Sequence, residues 1–329
     1  MKPIRYAIYI VAAVLIAMGA VLGYISFALP NVNDASDLRI EITPEKVARG
    51  KYLAHHVMLC ADCHSKRDFS LFTGPPTPGT EFTGGEVFDQ SMGFPGRFIS
   101  PNITPTGIGD WTDGELFRLI TTGVKRDGEP IFPVMPYQNY GKLDPDDIEA
   151  VIAYLRTLEP VGINHPASEV DFPFNFILRT IPENAVFCEK PPVSDSVAYG
   201  GYLFTAAGCG ECHTKFENGS FVGPLGGGGR AFTFPDGSTV RTANLTPHDT
   251  GINRFTRESF IRLFKAYADS SYVPQRVKPG EFQTIMPWAM YAEMKVEDLG
   301  AIYQYLQTLE PCDNSVERFT AAKKTAAKK

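Results

Sequence analysis

The sequence predicts a mainly α chain, with an N-terminal transmembrane helix followed by two tandem helical domains built on one plan. Three observations favour this fold class. Residues 6–29 form an uncharged run that is long enough to cross a bilayer as a helix. The pattern Cys-x-x-Cys-His occurs at 60–64 and again at 209–213. Helix-capping residues and apolar residues at helical spacing surround both occurrences.

Length and charge limit the classes of protein to which the chain can belong. Its 329 residues allow about two domains of ordinary size, and 43% of them are hydrophobic, which is enough for two cores. The formal net charge is −6. Because nucleic-acid-binding proteins usually carry a basic face, this charge argues against nucleic acid as a partner.

The N-terminal segment, residues 1–29, is interpreted as a single-pass anchor in the cell membrane. Lys2 and Arg5 precede the apolar run and acidic residues follow it, so the positive-inside rule places the rest of the chain on the periplasmic, extracytoplasmic side. A cleaved signal peptide is the alternative, with a small-x-small site at 26–28, but the apolar run exceeds the usual length of such peptides. Residues 30–43 are expected to form a polar stalk.

The first domain is predicted at residues 44–160. Thr43 is expected to cap a first helix that runs into the first Cys-x-x-Cys-His motif, since a proline follows it at the first helical position. Thr112 opens a middle helix with a capping box, and Asp144 caps a last helix whose apolar residues form one stripe. The intervening residues 65–110 are rich in Gly, Pro, Phe and Thr, which favours an ordered loop over regular structure.

The second domain, predicted at residues 195–312, repeats the landmarks of the first in the same order. Its first helix is expected to begin at Asp195 or Ser196. The cysteine motifs lie 149 residues apart in the chain, the Met-Pro and Leu-Glu-Pro elements 151 apart, and the Asn-x-Thr-Pro loops 142 apart. Length changes within loops produce such differences. The common order of the landmarks therefore indicates a duplicated domain.

Each first helix contains a glycine, Gly50 or Gly200, and each last helix contains a tyrosine, Tyr154 or Tyr305. A glycine lowers the stability of a helix, so its presence favours a close crossing of two helices, with an aromatic ring filling the remaining space. We therefore expect the first and last helices of each copy to touch at these positions.

Two further segments lie outside the predicted domains. Residues 161–194 are rich in Pro and Phe and are too apolar for a free linker, so we expect them to lie against the domains or a partner. Residues 313–329 contain paired lysines and alanines and are expected to form a solvated basic tail.

Cys-x-x-Cys-His is the pattern of covalent haem c attachment. Residues three apart share one face of a helical turn, so two thiols can bond the two vinyl groups on one edge of a porphyrin while the next residue ligates its iron. A structural zinc site is the rival interpretation, but it needs four tetrahedral ligands, and no second cysteine pair lies near either motif. The sequence therefore predicts two covalently attached haem c groups, held by Cys60, Cys63, His64, Cys209, Cys212 and His213.

The sixth iron ligand is expected to be Met135 at the first haem and Met286 at the second. Both residues precede a proline and occupy matching places in the repeat. A methionine ligand raises the reduction potential of a haem and suits electron transfer. Methionine is ordinarily a core residue, however. The competing candidates are Met58, Met92, Met290 and Met294.

Other polar residues have less specific patterns. The histidines outside the motifs are expected on the surface or in hydrogen bonds, with iron ligation as the alternative; they are His55, His56, His165 and His248. Arg97 and Arg241 precede the Asn-x-Thr-Pro loops and are candidates to hold haem propionates. Cys188 and Cys312 bracket the second domain and are expected either to form a disulfide or to remain free, buried thiols.

Together these residues resemble class I cytochrome c, present twice. The elements Pro-Asn-Ile-Thr-Pro at 101–105, Met-Pro-Tyr at 135–137 and Phe-Pro-Phe-Asn at 172–175 are similar to those of the multihaem cytochrome c subunits of membrane-bound alcohol and related dehydrogenases. The resemblance covers residues 44–312. It implies that the methionine of each Met-Pro element ligates iron and that electrons pass from a dehydrogenase towards quinone. Those subunits typically carry three haem domains, whereas this chain has two motifs.

The function predicted from the sequence is that of a membrane-anchored dihaem c-type cytochrome, which relays single electrons outside the cytoplasm. Its expected partners are redox proteins, with a dehydrogenase or respiratory complex on one side and a terminal oxidase or soluble cytochrome on the other. We expect an electron-transfer protein or subunit rather than an enzyme, because the chain carries no recognisable nucleophile–base pair or phosphate loop. The alternatives are a dihaem cytochrome c peroxidase and a haem-bearing structural subunit of a respiratory assembly.

Overall fold

The computed structural model describes residues 2–322, and within them the chain is mostly helical. The α-helices are α1 (Lys2–Ala28), α2 (Pro44–Tyr52), α3 (Cys60–Cys63), α4 (Pro105–Ile108), α5 (Asp113–Thr122), α6 (Tyr137–Tyr140), α7 (Pro145–Arg156), α8 (Phe174–Leu178), α9 (Ser196–Ala206), α10 (Cys209–His213), α11 (Arg257–Lys265), α12 (Trp288–Ala292) and α13 (Val296–Leu306). A π-helix lies at Leu53–Val57, and 3-10 helices lie at Gln90–Met92 and Ile252–Arg254.

Short strands accompany the helices. They are β1 (Val87–Phe88), β2 (Gly96–Ile99), β3 (Glu169–Val170), β4 (Lys215–Glu217), β5 (Ser220–Val222), β6 (Ala231–Thr233), β7 (Thr239–Arg241) and β8 (Phe319–Thr320). They form small sheets in the orders β1-β2-β3, β4-β5 and β6-β7-β8.

The chain folds into two compact units, each assembled from several segments. One unit consists of the chain up to Arg39 together with Trp111–Lys142 and Val170–Val186. The other consists of Ile40–Asp110, Leu143–Glu169 and the chain from Phe187 onward. Both Cys-x-x-Cys-His motifs belong to the second of these units.

Helix α1 is 27 residues long and apolar enough to cross a membrane, a property that a signal sequence shares. Its end contacts α8, where Arg179 Nη1 donates a hydrogen bond to the carbonyl oxygen of Leu29 at 2.9 Å. Leu178, the last residue of α8, is buried. Part of the apolar segment between the two copies therefore packs against the end of α1.

Helices α5 and α6 in the same unit fix the Met-Pro-Tyr loop. Gly123 ends α5 with φ 74°, and a Cβ on it would lie 2.4 Å from Cε1 of Tyr137. The ring of Tyr137 is fully buried. The residue two positions after Met135 is thus held in a packed core.

The predicted helix starts are confirmed. Thr43 caps α2, Thr112 forms a capping box at α5, and Asp144 caps α7. In the second copy Asp195, rather than Ser196, accepts the capping hydrogen bond at α9. A further capping box, opened by Thr256 at α11, was not predicted because serine replaces the usual Glu or Gln at its third position.

The sequence predicted one regular helix running into the first motif. The structure differs, because the helix is interrupted before the motif. Helix α2 ends at Tyr52 and a π-helix follows, in which Met58 N donates to Leu53 O at 2.7 Å. In the second copy α9 stays regular to its end, and Ala207 N donates to Leu203 O at 2.8 Å. The two copies therefore approach their cysteine motifs through different helical hydrogen bonds.

One additional residue in the first copy explains this difference. Gly50 and Gly200 lie 150 positions apart, whereas Cys60 and Cys209 lie 149 apart. A π-helix accommodates one extra residue because its hydrogen bonds span i to i+5 instead of i to i+4. The residues on both sides of the insertion keep their places.

The close helix crossings predicted at the two glycines are confirmed. A Cβ on Gly50 would lie 1.8 Å from the carbonyl oxygen of Ala150 in α7, and one on Gly200 would lie 2.0 Å from that of Ala301 in α13. The Cβ that a side chain at Gly50 would carry would also lie 2.9 Å from Cβ of Tyr154. In the second copy the ring of Tyr305 covers the neighbouring glycine at position 201 instead.

Two segments contain more regular structure than predicted. Residues 65–110 include β1 and β2, in which Val87 pairs with Ile99, and also α4. In the predicted tail, Phe319 pairs with Val240 of β7. Strands of two residues are too short for an alternating pattern to be recognised. Lys323, Lys324, Lys328 and Lys329 lie outside the described residues.

Replacing either crossing glycine by alanine is expected to destabilise the protein by about 3 kcal/mol or more, because the new methyl group would overlap a backbone carbonyl. The measurement is chemical denaturation of Gly50→Ala and Gly200→Ala. Gly162→Ala is the control, since a Cβ there would meet nothing within 4 Å. Equal denaturation midpoints for all three variants would contradict the close crossing.

Candidate haem-binding sites

Each Cys-x-x-Cys pair lies on one short helical turn, α3 or α10. The turn is set off from the preceding helix by a residue in the left-handed region, Leu59 with φ 57° and Gly208 with φ 64°. Residue i+3 shares a face with residue i on such a turn, so the two thiols of each motif face the same way. The chain enters both motifs with the same change of direction.

The histidine of each motif is oriented by a backbone carbonyl. His64 Nδ1 lies 2.8 Å from Pro101 O, and His213 Nδ1 lies 2.7 Å from Ala243 O. A carbonyl oxygen only accepts, so Nδ1 must carry the proton, and Nε2 keeps the lone pair that a metal requires. Burial lowers the pKa of His64 and lowers that of His213 to about 4, which favours the neutral imidazole.

The first Asn-x-Thr-Pro loop holds the carbonyl that meets His64. Asn102 Oδ1 accepts from Thr104 N at 2.9 Å and from Thr104 Oγ1 at 2.7 Å. Asn102 Nδ2 donates to Val161 O at 2.7 Å, just beyond the last helix of this copy. Both ends of the asparagine amide are therefore used to fix the residue that follows Pro101.

The second loop repeats these bonds. Asn244 Oδ1 accepts from the backbone nitrogen and hydroxyl of Thr246 at 2.9 and 2.7 Å, and its Nδ2 donates to Cys312 O at 2.7 Å. Sequence reasoning found the Asn-x-Thr-Pro elements as landmarks of the repeat but assigned them no role. Their recurrence in both copies was the signal in the sequence, but the carbonyl that each loop presents to a histidine is visible only in the structure.

A glycine on the other side of each histidine completes the arrangement. Gly84 N donates to His64 O at 2.8 Å, and Gly228 N donates to His213 O at 2.7 Å. Both glycines have φ 76°, and a Cβ on either would lie within 2.6 Å of backbone atoms of the neighbouring loop, 2.4 Å at Gly84 and 2.5 Å at Gly228. Each histidine is thus fixed through its ring and through its main chain.

The two Met-Pro loops have the same backbone conformation. Pro136 has φ −79° and ψ 55°, and Pro287 has φ −81° and ψ 64°. In each loop the residue after the proline donates to the methionine carbonyl at 2.8 Å. These values describe an inverse γ-turn, in which the chain reverses around the proline. Met135 and Met286 are both half-buried.

Met286 belongs to the same compact unit as His213, whereas Met135 belongs to the unit that contains α5 and α6 and His64 to the other. Among the competing methionines, Met58 and Met294 are buried, which suits core packing. The assignment of Met135 and Met286 as iron ligands stays a prediction.

A buried glutamine ties the segment before Met286 to the loop after the first motif. Gln283 Nε2 donates to Phe69 O at 3.0 Å and to Leu71 O at 2.8 Å, and its Oε1 accepts from Thr73 N at 2.9 Å. The next residue continues the chain of bonds, because Thr284 Oγ1 accepts from the backbone nitrogen of Met286 at 3.1 Å.

The histidines outside the motifs take hydrogen bonds, as predicted. The ring nitrogens contact Tyr154 Oη at His55, Met290 O at His56, Thr83 O at His165 and Thr250 Oγ1 at His248. Burial lowers the pKa of His55 to about 4. No group of three or more His, Cys, Asp or Glu residues suited to a metal ion occurs within residues 2–322.

Of the two alternatives for Cys188 and Cys312, the free thiols are found and the disulfide is not, but Cys188 is exposed rather than buried. A Cβ on Gly227 would lie 3.5 Å from Cys312 Sγ, so that thiol packs within its own copy. Arg97 is exposed, and Arg241 Nη1 donates to Thr320 Oγ1 at 2.8 Å, so the latter guanidinium already binds β8.

The residues present fit a haem c at each motif. Two thiols on one turn, followed by an imidazole with Nδ1 occupied and Nε2 available, form the donor set that covalent attachment and axial ligation require. The set is complete in both copies.

We expect Gln283→Leu to lower the free energy of unfolding by about 2 kcal/mol or more, because it leaves the buried N–H group of Thr73 and two half-buried carbonyls of the 69–73 loop without these partners. Exposed Gln307→Leu is the matched control. Chemical denaturation measures the difference. If both variants unfold at the same denaturant concentration, the glutamine does not hold this loop.

Several curated relatives of this chain are cytochrome c proteins or cytochrome c subunits of dehydrogenases. The cytochrome c subunit of alcohol dehydrogenase (quinone) from Gluconobacter oxydans is 26% identical over 258 residues, 74% of this chain and 50% of the relative. The gluconate 2-dehydrogenase cytochrome c subunit from Pantoea cypripedii is 26% identical over 321 residues, which cover 92% of this chain and 67% of the relative. A diheme cytochrome c-type protein from Cereibacter sphaeroides is 30% identical over 164 residues, which cover 47% of this chain and 53% of the relative.

The chain matches about half the length of the Gluconobacter subunit. No protein-family model matches it. Relatives of this kind imply covalently bound haem c, in agreement with the donor sets at the two motifs. The chain is therefore a relative of the cytochrome c subunits of dehydrogenases and of a dihaem cytochrome c.

Proposed function

We propose that this protein is a membrane-anchored dihaem c-type cytochrome that relays single electrons outside the cytoplasm. One observation carries the proposal: each Cys-x-x-Cys turn is followed by a histidine whose Nδ1 is bonded to a loop carbonyl, at 2.8 Å in one copy and 2.7 Å in the other. Covalent haem attachment explains why the paired cysteines and the oriented imidazole occur together in both copies. Neither feature alone would account for the other.

The residues proposed to hold the haems divide equally between the copies. Cys60, Cys63, Cys209 and Cys212 would hold the haems through thioether bonds, and His64 with Met135 and His213 with Met286 would ligate the irons. When bound, a haem c supplies an iron centre that takes up and releases one electron. The chain orients each imidazole. A methionine sulfur as the sixth iron ligand would exclude other ligands and favour the reduced state. The haem c domains are proposed at residues 44–160 and 195–312.

A dehydrogenase is the proposed electron donor, because the relatives are cytochrome c subunits of alcohol and gluconate dehydrogenases. A respiratory complex is the alternative donor, and a terminal oxidase or soluble cytochrome is the proposed acceptor. Helix α1 supports the membrane anchor by its length and composition, and the lysine and arginine before it support a periplasmic location of the haem domains. The anchor limits diffusion to the plane of the membrane, where such partners occur.

The axial assignments are tested by Met135→Ala and Met286→Ala. Each change is expected to remove about half of the methionine-to-iron charge-transfer absorption of the oxidised protein, and the double variant all of it, because each haem has one methionine ligand. Visible and near-infrared spectroscopy is the measurement. Met92→Ala, at a half-buried methionine without a counterpart in the repeat, is the control and keeps the full signal. A signal that survives in the double variant would refute these ligands.

Peroxide addition separates electron relay from peroxidase activity. The half-reduced protein is expected to show no rapid turnover with peroxide and an electron donor, since a methionine fills the sixth position at both irons. Stopped-flow absorbance of the donor provides the measurement. Rapid donor oxidation by the wild-type protein would favour the peroxidase instead.

A further inference from the structure

Tyr52 reaches from the first helix of one copy to the last helix of the other. Its hydroxyl donates to Asp298 Oδ2 at 2.5 Å and accepts from Lys295 N at 3.1 Å. Lys295 is the N-cap residue of α13, and Asp298 is the third residue of that helix. The hydroxyl therefore bridges the backbone N–H group at the start of α13 and a carboxylate of the same helix.

Tyr202 makes the same bridge in the opposite direction. Its hydroxyl donates to Asp147 Oδ2 at 2.7 Å and accepts from Asp144 N at 3.3 Å. Asp144 is the N-cap residue of α7, and Asp147 is the third residue of that helix. The hydroxyl, the N-cap N–H group and the carboxylate match the three groups at Tyr52 one for one.

The two bridges occupy equivalent positions of the repeat. Tyr52 and Tyr202 lie 150 positions apart, and Asp147 and Asp298 lie 151 apart. When a residue of one copy contacts a residue of the other and the equivalent pair does the same in reverse, the interface has twofold character. Each tyrosine thus completes a helix N-terminus of the opposite copy, a role that a capping box fills within one helix.

Burial makes these bonds obligatory. Asp147 is 1% exposed and Asp298 is 3% exposed. A buried carboxylate is costly unless it is paired and hydrogen-bonded. Asp147 also accepts from Arg49 Nε and Nη2 at 3.0 and 2.6 Å and from Lys190 Nζ at 2.9 Å. Although burial raises the pKa of Asp147, these donors lower it overall, so the carboxylate stays charged at neutral pH.

The bridges connect the elements closest to the candidate ligands. Tyr52 precedes Cys60 by eight residues, and Tyr202 precedes Cys209 by seven. The N-cap residue of each of these helices lies nine residues after the methionine of its own copy. Each bridge therefore joins the helix that enters one cysteine motif to the helix that follows the Met-Pro loop of the other copy.

We infer that Tyr52 with Asp298 and Tyr202 with Asp147 form a reciprocal clamp, which holds the two helix pairs α2–α7 and α9–α13 as one cooperative body. Under the proposed function, on which this part of the inference rests, the four residues are positioning residues that fix the separation of the two haems. Electron tunnelling between two centres falls steeply as they move apart, so a fixed separation keeps the transfer rate between them constant.

The clamp is tested in the full-length protein with its haems, in detergent, with Tyr52→Phe, Tyr202→Phe and the double variant. These changes keep the rings and remove the hydroxyl groups. Tyr303→Phe is the control, because its hydroxyl donates to Phe255 O at 2.7 Å within one copy. Each clamp variant is expected to lower the ratio of folded to unfolded protein by about tenfold or more, since the lost bond involves a charged group.

Unfolding by denaturant, followed by far-ultraviolet circular dichroism, gives the first decisive result. The transition common to both copies in the wild type is expected to separate into two in the double variant and to stay single in Tyr303→Phe. A single transition in the double variant would overturn the clamp.

Pulsed dipolar electron paramagnetic resonance between the two oxidised irons gives the second result. The distance distribution is expected to be narrow in the wild type and the control and broader in the double variant; equal widths would overturn the positioning role. Pyridine haemochrome analysis counts the haems independently. Fewer than two haems per chain would refute the proposed function, while the unfolding comparison would still decide the clamp.

Discussion

The close approach of the first and last helices at Gly50 and Gly200 is the constraint on which both candidate sites depend. At each crossing a carbonyl oxygen of the last helix occupies the space that a side chain would need. The crossing places the last helix against the first, and the chain just beyond the last helix accepts a hydrogen bond from Asn102 or Asn244. The asparagine in turn fixes the loop whose carbonyl orients the histidine. The close crossing at each glycine thus supports, through the asparagine, the loop whose carbonyl binds Nδ1 of the histidine.

Sequence patterns predicted the parts of this arrangement that depend on local chemistry. Helix caps at Thr43, Thr112 and Asp144 follow from hydrogen bonds between neighbours in the chain, and the glycines follow from their cost in a helix. The cysteine motifs have a spacing set by the porphyrin itself. These signals require no knowledge of how distant segments meet.

The parts that were missed depend on distant contacts or on very short elements. Tyr52 and Asp298 are separated by 246 positions in the chain, and nothing near either residue identifies the other. Cys188 and Cys312 show the reverse case, in which the sequence suggests a contact that the structure lacks. Two leftover cysteines at the ends of a domain suggest a disulfide, but both thiols are free. The π-helix did have a signal in the sequence. The separation between equivalent residues of the two copies falls from 150 at Gly50 to 149 at Cys60, which indicates one extra residue between them in the first copy.

The π-helix also carries historical information. A one-residue difference between two copies of a duplicated segment must have arisen after the duplication, either as a gain in the first copy or as a loss in the second. The flanking glycine and cysteines kept their places, so a single rearranged turn absorbed the whole change. Two repeated parts of one chain can therefore differ in length by one residue inside a helix, and not only in loops, while keeping the same helix crossing.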